Sequence, residues 1–108
     1  MANNFKFKGV ALASSSETAL LTAASDETLI IKSIRITNNT SNTPTISFDV
    51  SDNSASAEYT ILKTQTLAAN TGIELLVVPL VLEASDALKT TISSTDSIHF
   101  GISYMSVT

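Results

Sequence analysis

The stretch ETLIIKSIRITNNTSNTPTISFDVSDN, Glu27 to Asn53, decides the fold of this 108-residue chain. Two runs of alternating apolar and polar residues flank a polar Asn/Ser/Thr/Pro segment, and a period of two is the signature of a strand. Ile34 and Ile36 lie on one side of the segment, and Ile46, Phe48 and Val50 on the other. The pattern predicts a long β-hairpin, or the turn between two neighbouring strands. The first run carries a phase slip. Ile30, Lys32, Ile34 and Ile36 share one face, while Leu29, Ile31, Ser33 and Arg35 share the other. A slip of one residue at Lys32-Ser33 brings Ile31 onto the face of Ile34, so a β-bulge or a bend between sheets is predicted there. Asn38 to Pro44 consists of residues that hydrogen-bond their own backbone in turns. Its two Asn-x-Ser/Thr triplets are expected products of that composition, not glycosylation sites.

Outward from this stretch the chain keeps alternating. In residues 1–13, Phe5 and Phe7 alternate with Lys6 and Lys8, and Gly9 and Val10-Ala11-Leu12 follow. The segment is either an edge strand or an arm that adds to a neighbouring subunit. Phe5, Phe7, Val10 and Leu12 are its candidate partner-binding residues. The domain division is 1–16 for this arm or edge strand and 17–108 for the body. Glu17–Ala23 predicts a strand, and so does Glu58–Thr66, with Tyr59 and Ile61 as its core pair. Asn70 or Gly72 is placed to take positive φ in the next turn. Ile73–Val78 is apolar almost throughout, which predicts a strand covered on both faces or bent across the core. Pro79 splits it from Leu80–Leu82. Leu88, Thr90 and Ile92 share a face, and so do Ile98, Phe100, Ile102 and Tyr104. Eight or nine short strands with regularly spaced turns predict an all-β fold, a two-sheet antiparallel sandwich of jelly-roll type.

The length suits one domain with its own core. With no cysteine, disulfides and thiolate–metal sites are excluded. A net charge of −4, with six dispersed basic residues, argues against a nucleic-acid footprint. No run reaches the length of roughly 20 apolar residues that spans a membrane. The apolar piece Gly9–Ala13 is shorter than the h-region of roughly 7 residues that a signal peptide needs, so export by that route is not expected. Charged residues make up only 15% of the chain, and Ser and Thr dress the polar strand faces. Such surfaces suit burial against other subunits, because each charge withdrawn from water is costly.

No catalytic or metal-binding set emerges from the residue pattern. His99 is the only histidine and has no Asp or Glu within two residues, so a nucleophile–base pair has no obvious base. Asp49-Val50-Ser51-Asp52-Asn53 clusters oxygens, but lacks the spacing and central glycine of an EF-hand. Gly-x-Ser-x-Gly and Gly-rich phosphate loops do not occur. The expectation is a protein that is not an enzyme and uses no metal or cofactor. A carbohydrate-binding module is a lesser alternative, weakened because both tyrosines, Tyr59 and Tyr104, are expected in the core.

Three segments carry a family resemblance: IIKSIRITN (Ile30–Asn38), LAANTGIELL (Leu67–Leu76) and LVLEASDALK (Leu80–Lys89). With the closing strand that ends in SYMSV, the chain over residues 28–107 resembles small β-sandwich virion proteins of tailed bacteriophages. These occur as capsid decoration (cement) proteins and as tail- or fibre-associated modules. The usual glycine of the last hairpin is Ser85 here. The resemblance implies a non-enzymatic structural protein of the virion, made in the host cytoplasm, most fittingly a decoration protein that stabilises the head shell. The alternative it implies is a neck, tail or fibre position. Its implied partners are the major capsid protein or other virion proteins, with a homo-oligomer, a trimer, as the assembly state. Neither nucleic acid nor membrane is an expected partner.

Overall fold

The computed structural model describes residues 2–108. Among them are nine strands: β1 (Asn3–Leu12), β2 (Thr18–Thr22), β3 (Thr28–Asn38), β4 (Thr45–Asp52), β5 (Ala57–Thr66), β6 (Gly72–Glu74), β7 (Leu80–Leu82), β8 (Ala87–Ile92) and β9 (Ile98–Val107). They form two antiparallel sheets. One runs β1-β9-β3-β6, with β7 also on β3, and the other runs β2-β8-β4-β5. β6 and β7 pair with opposite ends of β3, so together they act as one strand interrupted around Pro79. Counted that way, two four-stranded sheets exchange strands in the order of a jelly roll. Among the described residues no helix is long and apolar enough to cross a membrane.

Alternation drives this packing. Leu29, Ile31, Ile34 and Ile36 from β3, and Ile98, Phe100 and Ile102 from β9, meet Ile46, Phe48, Leu88 and Ile92 of the other sheet in one buried core. Each fully buried side chain of this size contributes roughly 1.5–3 kcal/mol. Phe48 and Phe100, one from each sheet, meet edge to face at 6.1 Å and 79°, the arrangement that aromatic quadrupoles favour. Thr90 keeps its place among these residues because its hydroxyl donates to the Ser47 carbonyl at 3.0 Å.

The phase slip in β3 is a bulge. Ile31 stands opposite Tyr104 and Ser33 opposite Ser103, so Lys32 is the extra residue. That shift lets Leu29 and Ile31 before it, and Ile34 and Ile36 after it, all face inward. Glu74 secures the irregularity. Its carboxylate accepts from the Ile34 N–H at 2.8 Å, from the Ser33 hydroxyl, and from the Leu76 N–H at 3.2 Å. The Leu75 N–H donates to the Ile34 carbonyl at 2.9 Å.

Three expectations are corrected. β3 and β4 are not a hairpin: they lie in different sheets, and residues 39–44 cross between them. Both strands turn their apolar sides to a shared core, so alternation is the same for a crossover and a hairpin. Asn38, buried at the end of β3, anchors the crossing. Its Nδ2 donates to the carbonyls of Asn42 (2.8 Å) and Ala68 (3.2 Å), and its Oδ1 accepts from the Thr40 N–H (3.0 Å) and hydroxyl (2.7 Å). Second, Tyr59 and Ile61 are exposed. β5 is an edge strand whose register shifts twice against β4, so Leu62 stands opposite Phe48 and Ile61 becomes an extra residue. Thr64, with φ 50°, marks the second irregularity, and its N–H donates to the Ser47 hydroxyl at 2.9 Å. Third, Val77 and Val78 are not covered: they lie between β6 and β7, and Val77 is 98% exposed. The ladder on β3 stops at Glu74 and resumes only at Leu80, and Pro79, which has no N–H to donate, stands just before that resumption.

Candidate interaction surface

The outer face of the β1-β9-β3 sheet follows from its registers. On β1 the even residues point inward, because Val10 stands opposite Phe100 and Leu12 opposite Ile98, both buried. The odd residues therefore point out. Phe5 stands opposite Met105, Met105 opposite Ile30, and Ile30 opposite Val81. An apolar row thus crosses the whole outer face from β1 to β7. Its two ends are its most open members, Phe5 at 76% and Val81 at 51% exposed, with Met105 and Ile30 half-buried between them. The Lys32 ammonium, thrown outward by the bulge, lies 5.8 Å from the Phe5 ring centroid.

Phe7, the next odd residue, is 70% exposed, yet its ring leans on the sheet. A Cβ at Gly101 would meet its Cε1 at 3.1 Å, and one at Gly9 its Cε2 at 3.5 Å. The two glycines stand opposite each other across β1 and β9 and make the flat floor on which the ring rests.

Of the four predicted partner-binding residues, Phe5 and Phe7 lie on this outer face, whereas Val10 and Leu12 pack against the core. Sequence reading missed Ile30, Val81, Met105, Val77 and Val78. Cross-strand register assembles the row, and one strand's alternation does not contain that register. The two valines were hidden because an unbroken apolar run normally signals burial.

On the outer face of the other sheet, carboxylate oxygens of Glu17, Asp49 and Glu58 lie within 4.8 Å of one another. Lys89 stands among them, 4.0 Å from Glu17 and 3.7 Å from Glu58. Its ammonium pairs with two of the three carboxylates and offsets one of their charges, and exposed pairs of this kind contribute little. A shallow open depression at the β4–β5 turn is lined by Ser51, Asp52, Asn53, Ser56, Ala57 and Glu58. His99 is exposed on β9, with Ala11 and Thr37 as its cross-strand neighbours.

Three carboxylates have pKa values below their ordinary range. For Glu74 the largest influence, partial burial, pushes upward. It is outweighed by hydrogen bonds from Ser33, Ile34 and Leu76 and by the charge of Arg35. Glu27 is lowered by the Ser106 hydroxyl, then by the Ala24 N–H, with partial burial opposing and Lys6 assisting. Asp96 is lowered by Ser94 and Asn42, with slight burial opposing. All three fasten one segment of chain to another: Asp96 accepts from Asn42 Nδ2 at 2.8 Å, Glu27 from the Ser106 hydroxyl, and Glu74 from the Ile34 N–H.

No known protein family and no curated protein matches the chain in sequence. Solved structures match its fold. A Drosophila NLP-core, described in terms of pentamer formation and histone binding, shares 16% identity over 94% of this chain and 98% of its own, with a TM-score of 0.54. A chain from infectious bursal disease virus, Gx strain, shares 11% identity over 95% of this chain and 32% of its own, with a TM-score of 0.52. The CBM22-1-GH10 modules of a Clostridium thermocellum xylanase, complexed with xylohexaose, share 19% identity over 90% of this chain, with a TM-score of 0.49. This chain spans only 20% of that protein's length. Other matching chains come from viral particles, with TM-scores below 0.5. At these identities the likeness is one of fold alone, a β-sandwich shared with the NLP-core and with the infectious bursal disease virus chain.

Proposed function

We propose that this chain is a non-enzymatic structural component of a phage virion, a decoration protein that stabilises the head shell. The observation that carries the reading is the exposed apolar row from Phe5 to Val81. Four strands converge to present it, and it lies on a chain with few charges. An apolar band left in water across a whole sheet face marks a surface that meets another protein. Many copies on a lattice multiply such modest contacts into a stable shell. The fold shared with viral chains is compatible with this role, and a fold alone does not choose it.

Quantitative mass spectrometry of purified particles tests the proposal. A copy number comparable with that of the shell subunit is the expected result. A copy number comparable with that of a tail component selects the neck, tail or fibre position instead. Absence from particles overturns the virion reading.

One observation favours a second reading. Tyr59, expected in the core, is 55% exposed on edge strand β5, where an aromatic ring is free to stack on a sugar. A glycan array whose signal disappears in Tyr59→Ala would move the assignment to carbohydrate binding.

A further inference from the structure

The four sheet edges differ in how well they are closed. β2 has five residues and a register shift. β5 is broken twice, and β6 and β7 have three residues each around Pro79. β1 is the exception: ten residues with an unbroken register and no proline. Edges of that kind accept another strand unless something prevents it.

The ladder fixes which groups β1 offers. Ala2 and Thr108 exchange both backbone hydrogen bonds, at 3.1 and 3.0 Å. Antiparallel pairs alternate between bonded and non-bonded, so with the unbroken register Asn4, Lys6, Lys8, Val10 and Leu12 bond to β9. The N–H and C=O groups of Asn3, Phe5, Phe7, Gly9 and Ala11 therefore point to the open edge. Lys6 and Lys8 point to the inner side, opposite Tyr104 and Ile102, yet both are exposed because β1 is the last strand of its sheet among the described residues.

This arrangement disfavours a second copy of β1. Bonding-competent antiparallel registers must match odd residues with odd residues. The longest of them, centred on Phe7 or on Lys8, set Lys6 against Lys8 or Lys8 against Lys8. These fall at non-bonded positions, where side chains come closest, and like charges directly opposite are destabilising.

The geometry points to β1 as the acceptor edge for an extended partner strand that carries Asp or Glu at alternate positions, with apolar residues between them. The acids meet Lys6 and Lys8 on the inner side. The apolar residues meet Phe5 and Phe7 and prolong the row that ends at Val81. The inference goes beyond the virion reading, because it holds for any partner that supplies such a strand.

The test uses the full chain and two fluorescein-labelled ten-residue peptides, one alternating valine with glutamate and one alternating valine with lysine, read by fluorescence anisotropy. The glutamate peptide is expected to bind at least tenfold more tightly. Lys6→Glu/Lys8→Glu should invert that preference. Gly9→Pro removes one outward N–H and leaves the β9 ladder intact, so it should abolish binding while the melting temperature holds. Equal affinity for both peptides, no binding at millimolar peptide, or binding unaffected by Gly9→Pro in a folded protein overturns the inference. These results do not depend on the chain's place in a particle, so they separate from a failure of the virion reading.

Discussion

Ser85 occupies the left-handed region, with φ 67°, in the turn between β7 and β8. Its N–H donates to the Ala23 carbonyl at 3.1 Å, which fixes the backbone there despite the Cβ. A non-glycine residue held at positive φ costs on the order of 1 kcal/mol. Ser85→Gly should therefore stabilise the fold by about 0.5 kcal/mol once its greater unfolded-state freedom is counted. Ser85→Val should destabilise it by more than that, and thermal melts of both variants check the pair. Glu74 makes a second prediction at this scale. Its pKa, and those of Glu27 and Asp96, are lower in the folded chain than in the unfolded one. The unfolded chain thus binds these protons more readily. Their contribution is complete above the unfolded carboxylate range and is lost as pH falls through the folded values, from about pH 5 downwards. Urea melts from pH 7 to pH 3 should show that loss, and Glu74→Gln should reduce its slope.

Among the elements, the bulge in β3 and the crossover after it set the architecture. Asn38→Ala would leave the buried end of β3 without its bonds to residues 40, 42 and 68. It should destabilise the protein by about 2–3 kcal/mol, measured by urea denaturation, since each buried partner left unsatisfied costs about 1–3 kcal/mol. The bulge was legible in the sequence because one residue's slip changes the face of every apolar side chain after it. β9 and β8 were legible for the same reason, through Ile98 to Ile102 and Leu88 to Ile92. The crossover was not, since alternation assigns a face and leaves the pairing partner open. Tyr59 and Ile61 were misplaced because the irregularities of β5 arise from its fit to β4, and no turn residue announces them. Of the candidate surface, Phe5 and Phe7 were legible as apolar residues on a terminal strand. Ile30, Met105 and Val81 were not, because they become neighbours only after β1, β9, β3 and β7 assemble.

At the scale of the whole molecule, the sandwich holds an apolar row across one sheet face and leaves the edge of β1 open. Phe5 and Val81 lie at the two ends of the row and outside the core, so Phe5→Ser/Val81→Ser should leave the melting temperature within a few degrees of the parent. On the proposed virion role, the same double variant should fail to attach to particles. Co-sedimentation of the purified chain with phage heads that lack it is the most direct measurement. The parent should pellet to saturation while the folded double variant stays in the supernatant. Equal pelleting of the two, or failure of the parent to pellet, contradicts the proposed role.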